Sequence, residues 1–337
     1  MSQIGILECG YLTDVNIEQE RAWEDPIKNI DLKANADAAR AVLENQQVNM
    51  GPLMVKDKKN IINVEWLTDC DATTESCSDD CTIDGADSTP ECKEYEITCL
   101  RESAFKVADR VYRERTIKNT QSIAFLIERR KKLLDEWIAQ YIVTFLQSEA
   151  GTNVFTGSPG TVAAALTTIP AANWNDNIWG YFARVALGNQ FTNPYAISGD
   201  NLFQLVYNRL AEYQNADGKG NVNKMGGLRD RTYFDVFNVE AIAAGYTFLL
   251  HKTAAAFMSK SWYPEGAGNA IELMADQKAW SESSRNLPGV VYDVFAQRTC
   301  VSNEYYTAFK VQLHGVAALN PTPCSKTNSG ILAFACT

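Results

Sequence analysis

The stretch Lys118–Ser148 constrains the fold more than any other part of this sequence. Ile123, Leu126, Ile127, Leu134, Trp137, Ile138, Tyr141, Ile142 and Phe145 recur three and four residues apart. That spacing gathers side chains on one face of an α-helix. At 1.5 Å per residue the helix is about 45 Å long, and Gly151, Gly157 and Gly160 end it. Its aromatic positions read as packing residues.

Upstream lies a segment with a different period. Cys70, Cys77, Cys81, Cys92 and Cys99 fall within 30 residues, and the other cysteines are Cys9, Cys300, Cys324 and Cys336. Opposed residues in an antiparallel hairpin share a constant index sum, and both 70 + 99 and 77 + 92 give 169. That register sets Val64 against Phe105 and Ile62 against Val107, apolar on apolar, and residues 94–99 alternate as a strand does. Residues 61–107 are therefore expected to form one long two-stranded ribbon, with Gly85 and Pro90 in its tip. An isolated ribbon is marginal in water. Disulfides Cys70–Cys99 and Cys77–Cys92 would each add about 2–4 kcal/mol. Free thiols, or zinc on Cys77, Cys81, Cys92 and Cys99, are the other readings. The zinc spacing lacks any CxxC pair or nearby histidine.

Charge is divided sharply at this point. Thr68–Glu96 holds ten acids, Asp79, Asp80, Asp84 and Asp87 among them, against Lys93, a net of -9 in a chain of net -10. Lys106–Lys132 holds nine bases, including Arg110, Arg113, Arg129, Arg130, Lys131 and Lys132, against three acids, a net of +6. Adjacent blocks of opposite sign predict complementary contacts within the chain or between copies. The plainer reading is that each run solvates its own surface.

Around these features the chain alternates. Residues 1–60 read as a polar arm with a helix at Leu32–Asn45, stopped by Gly51 and Pro52. Helices are expected near Trp174–Leu187 and Asp200–Tyr213, and strands at Asn193–Ser198, Thr232–Asn238 and Tyr246–Leu250. Tyr292–Gln297 and Ala308–Ala317 are expected to close as an antiparallel pair. The fold class is α+β.

Composition bounds the function. With 337 residues, 46% apolar and 21% charged, the chain is globular. A pI near 4.9 argues against a general nucleic-acid binder. The longest apolar run, Val239–Leu250, is too short for a bilayer. With no signal peptide evident and the sequon at Asn320 blocked by Pro321, a cytoplasmic origin is expected. The two histidines, His251 and His314, show no carboxylate or cysteine at a recognisable ligand spacing and read as structural. No P-loop, HExxH, GxSxG or GxGxxG occurs, and Asp217–Asn221 lacks the ligands of a calcium loop. The expectation is no enzyme, no cofactor and no metal.

The order of elements is polar arm, acidic ribbon, long helix, mixed domain, returning strands. The helix IERRKKLLDEWIAQYIVTFLQSEAG with its exit NVFTGSPG, the segment Asn193–Ser198 followed by DNLFQLVYNRL, and TYFDVFNVEAIAAGYTFLLHKTAAAFMS carry a resemblance. They resemble the major capsid protein of tailed bacteriophages, the Hong Kong 97-type fold. The resemblance covers nearly the whole chain in element order. It implies an N-terminal arm (1–60), an extended loop or E-loop (61–107), a spine helix with the start of a peripheral domain (108–160), an axial domain (161–285) and peripheral return strands (286–337).

It further implies a structural protein of the virion, assembled in the host cytoplasm. Hexamers and pentamers would close an icosahedral shell around double-stranded DNA without reading its sequence. Portal, scaffolding and decoration proteins would be partners. The acidic loop would reach over a neighbour and land on its basic stretch Arg110–Lys132. The covalent lysine–asparagine link of some members is not carried over, because the ribbon has only Lys93. An encapsulin-type compartment shell shares the fold and is the first alternative. A disulfide-stapled surface binding protein is the second.

Overall fold

The computed structural model describes residues 34–46, 60–68, 89–108, 120–175, 177–199, 202, 205, 232–234, 245–273, 277–301, 304–319 and 329–337. Their elements, in chain order, are α1 (Asp37–Asn45), β1 (Ile61–Thr68), β2 (Thr89–Glu96), β3 (Thr98–Ala108), α2 (Thr120–Ser148), β4 (Thr161–Ala163), β5 (Leu166–Ile169), α3 (Ile178–Gly188) and β6 (Tyr195–Ser198). There follow β7 (Thr232–Phe234), β8 (Tyr246–Leu250), β9 (Ala255–Ser259), β10 (Ile271–Glu272), β11 (Gln277–Ser283), β12 (Val291–Val301), β13 (Glu304–Leu319) and β14 (Ile331–Cys336). The mixed helix-and-sheet class agrees with the α+β expectation.

The chain forms two compact units, each discontinuous in sequence. The first takes residues up to Ala36, Thr98–Ile138 and Ser259–Gly315; the second takes Asp37–Ile97, Ala139–Met258 and Val316–Thr337.

In the first unit, strands run in the order β10-β11-β12-β13-β3, all antiparallel. One face of this sheet carries Tyr292, Val294, Phe309, Val311 and Leu313, all buried. The N-terminal part of α2 covers that face. Arg130 lies over the Phe105 ring at 5.7 Å and Arg101 over Trp137 at 5.7 Å. Phe105 and Phe309, opposite each other on β3 and β13, stack at 5.0 Å.

In the second unit, six strands run in the order β4-β5-β14-β8-β6-β7, with parallel pairs β5–β14 and β6–β7. Helix α3 has apolar residues at Ile178, Tyr181, Phe182, Val185 and Ala186, and this stripe is its buried side. It packs on Ile169, Ala196, Leu249, Leu332 and Phe334 of the sheet. Phe182 meets Phe334 edge-to-face at 5.0 Å. The helix ends at Asn189, whose Nδ2 donates to the Val185 carbonyl and to Asn153 Oδ1, both at 2.8 Å. Gly160 lies so close to Tyr181 that a Cβ there would sit 2.0 Å from the phenol oxygen.

Candidate functional site

The acidic ribbon exists, in a different register from the expected one. β1 and β2 form a sheet of two strands. They pair from Ile61 opposite Glu96 to Thr68 opposite Thr89, an index sum of 157 rather than 169. Cys92 therefore faces Glu65 and not Cys77. The ribbon stops at its root, where Ile97 is 2% exposed and packs with Ile62, Met258 and Ala318, flanked by Tyr95 and Val316. The Tyr95 hydroxyl donates to the Leu319 carbonyl at 3.0 Å and accepts the Leu319 N–H at 3.1 Å.

Residues 98–107, assigned to the ribbon from the sequence, instead form β3 and pair with β13. Two of the apolar residues that suggested the Val64–Phe105 and Ile62–Val107 pairs have other partners. Phe105 finds Phe309, and Ile62 finds the root cluster. Cys99 lies opposite His314, exposed, with a free thiol, so the Cys70–Cys99 rung is not formed. The Cys77–Cys92 rung loses the register that predicted it. Cys70, Cys77, Cys81, Asp79, Asp80, Asp84 and Asp87 lie outside the described residues. Among the described residues no cluster of three metal-binding side chains occurs. Burial, and then the charge of Glu102, push the Cys99 thiol up. Such a thiol stays protonated at neutral pH and is a poor nucleophile.

The basic stretch divides. Arg110 and Arg113 lie outside the described residues. Arg129 is exposed, and Arg130 is half-buried over Phe105. Lys132 pairs with Glu136 at 4.0 Å. Lys131 is 3% exposed and is held within its own unit. Its ammonium pairs with Glu128 and with Glu282 at 3.1 Å, and donates to the Ser283 carbonyl at 3.0 Å. The expectation that Lys131 meets a neighbouring copy is corrected: it pins α2 to β11. The sequence showed it as one of four adjacent bases, and only the helical phase turns it inward.

One turn further along, Asp135 is fully buried. Its Oδ1 accepts the Ser284 hydroxyl at 2.8 Å and the Tyr292 hydroxyl, and its Oδ2 accepts Asn286 Nδ2 at 2.9 Å. Burial pushes the Asp135 carboxyl above the ordinary aspartate range, against the pull of these hydrogen bonds and of Lys131. Burial also raises the Tyr292 phenol, and the Asp135 charge adds to it. The sequence offered Asp135 only as an acid inside a helical run.

The histidines also acquire partners the spacing did not show. His314 Nδ1 lies 3.2 Å from Oδ2 of the buried Asp293, on the neighbouring strand. Asp293 Oδ1 accepts the Ser261 hydroxyl and, at 3.3 Å, the Trp262 N–H. His251 Nε2 lies 3.1 Å from Thr192 Oγ1, and its ring meets Phe191 edge-on at 5.9 Å. Desolvation holds His251 below the usual histidine range.

No family model matches the chain, and no curated protein matches it. Solved structures do. A chain of the Cyanophage Pam1 capsid asymmetric unit is 12% identical with a TM-score of 0.45; the match covers 82% of this chain and 84% of that one. A chain of the asymmetric unit of the bacteriophage PhiM1 mature capsid is 9% identical with a TM-score of 0.45, covering 84% of each. A chain of Mycobacterium phage Adephagia is 13% identical with a TM-score of 0.45, covering 89% of this chain and 90% of that one. These solved phage structures, two of them capsids, are what this chain is similar to.

Proposed function

We propose that this chain is a major capsid protein, a building block that self-assembles as hexamers and pentamers into the icosahedral shell around the double-stranded DNA of a tailed phage. The observation that carries the reading is the β1–β2 ribbon. It is a sheet of two strands, rooted by a small apolar cluster, and it continues into the acidic stretch of residues 69–88. Two strands alone bury too little apolar surface to be stable in water. A second copy of the chain supplies the missing surface. The order of ribbon, 29-residue helix and two sheets supports the same reading.

In this account the ribbon is the extended loop, α2 is the spine helix, and the two units correspond to the peripheral and axial domains. Asp79, Asp80, Asp84 and Asp87 face Arg110, Arg113, Arg129 and Arg130 of a neighbouring copy. Lys131 and Lys132 are left out because carboxylates of their own unit pair with them. Each exposed pair contributes about 0–1 kcal/mol, so charge sets register and approach while apolar contact supplies adhesion. The chain acts by assembly rather than catalysis, as part of the virion, after building in the host cytoplasm with portal and scaffolding proteins. No helix among the described residues is long and apolar enough to cross a membrane.

Negative-stain micrographs of the chain expressed with its neighbouring genes test this. Closed shells containing DNA are expected. Closed shells enclosing protein cargo without DNA would move the reading to an encapsulin-type compartment, and single compact particles would refute both.

A further inference from the structure

We propose that Asp135 is a proton-operated latch on the chain at Ala34–Asn35: proton uptake by its carboxylate turns the Asn286 amide and releases Ala34. The inference stands on the first unit alone and does not depend on the shell reading.

The latch is a relay of hydrogen bonds. Asn286 Nδ2 donates to Asp135 Oδ2 at 2.9 Å, which leaves Asn286 Oδ1 to accept the Ala34 N–H at 3.3 Å. The orientation of that amide is thus coupled to the charge state of Asp135. The next residue is held by the same helix, where Glu136 accepts the Asn35 N–H at 3.4 Å. Ala34 and Ala36 are 3% and 0% exposed, so a freed amide there has little water to turn to.

Oδ1 already holds two hydroxyl donors and Oδ2 one amide, which favours Oδ2 for the proton. At Oδ1 it would meet the Ser284 hydroxyl. That oxygen already accepts the Asn286 N–H at 3.1 Å and the Leu287 N–H at 3.0 Å, so its own hydrogen is shared between Asp135 Oδ1 and the Tyr292 oxygen beside it. The Tyr292 hydroxyl donates to the same Oδ1 from a fully buried ring. A proton from solvent therefore adds to Oδ2, where it opposes the Asn286 NH2 group. The amide relieves the conflict by rotating, so that Oδ1 accepts the new acid proton. Its NH2 then faces the Ala34 N–H, donor against donor, and that bond breaks. Among the described residues, the charged and titratable groups around the carboxyl are Lys131 and Glu136 on α2, and Tyr292 and Glu282 on the strands. Lys131 is shared with Glu128 and Glu282, and Glu136 with Lys132. Burial places the titration above the ordinary aspartate range.

Amide hydrogen exchange of the whole protein, expressed as protection factors across pH 4 to 8, reads the latch. Protection at Ala34 should fall about tenfold on acidification, the loss of one hydrogen bond. Asp135→Asn should show the low protection at every pH. Tyr292→Phe removes a bond that holds the carboxyl down, and should move the step to higher pH. This variant decides the matter if Asp135→Asn does not fold. Flat protection at Ala34 in the natural chain, or a step that Tyr292→Phe leaves in place, overturns the proposal. So does a step that survives Asp135→Asn and vanishes in Glu136→Gln, which would assign the titration to Glu136.

Discussion

Single residues carry most of the specificity in this molecule, and they were the least visible in the sequence. Gly160 is a clear case: the loop passes so close to α3 that a Cβ would meet the Tyr181 hydroxyl at 2.0 Å. Gly160→Ala should destabilise the protein by about 1–3 kcal/mol, the usual cost of overpacking, read as a fall in the denaturation midpoint with unchanged m-value. His251 gives a pH test. Its folded pKa is depressed, so the stability tied to its neutral form is complete above about pH 6.5, its ordinary value, and is lost as pH falls through the folded value. Thermal midpoints of the natural chain should drop more below pH 6.5 than those of His251→Gln; parallel curves would contradict this. His314 shows why the sequence was mute here. Its partner Asp293 is 21 positions away, and only the register of β12 on β13 brings the two together.

Elements were legible where a period repeats and opaque where pairing decides. The helix expected at Lys118–Ser148 is present as Thr120–Ser148, because nine apolar residues at three-to-four spacing fix both its type and its buried side. The strands at Tyr246–Leu250 and near Tyr292 and Ala308 were likewise found. The ribbon was found, but in another register and shorter: alternation marks a strand without naming its partner, so residues 98–107 read equally well against β1 or β13. Strands β4, β5, β9, β10, β11 and β14 were missed; β4, β5 and β10 are only three, four and two residues long, too short for a period to emerge. Helical phase also turned one basic residue inward. Lys131→Met should cost about 2 kcal/mol. That is below the roughly 3–5 kcal/mol of a fully buried pair, because Glu128 and Glu282 keep 27% and 24% exposure and can rehydrate. Urea denaturation of the variant measures it, and an unchanged midpoint would show that Lys131 does not pin α2.

At the scale of the whole molecule the chain is marked by a division of charge, which the proposed reading assigns to contacts between copies. Residues 68–96 carry -9 and residues 106–132 carry +6. Part of that positive block is spent internally on Lys131 and Lys132. If the remainder guides copies together, reversing Asp79, Asp80, Asp84 and Asp87 to lysine should abolish association, and salt well above physiological strength should slow it. The thermal midpoint of the isolated chain should barely move, which separates lost association from lost folding. The most direct test of the account is the mass of the purified natural chain, by sedimentation velocity across a wide concentration range at moderate salt. The account predicts species of five and six chains, or closed shells. A single 37.4 kDa particle at every concentration would contradict it.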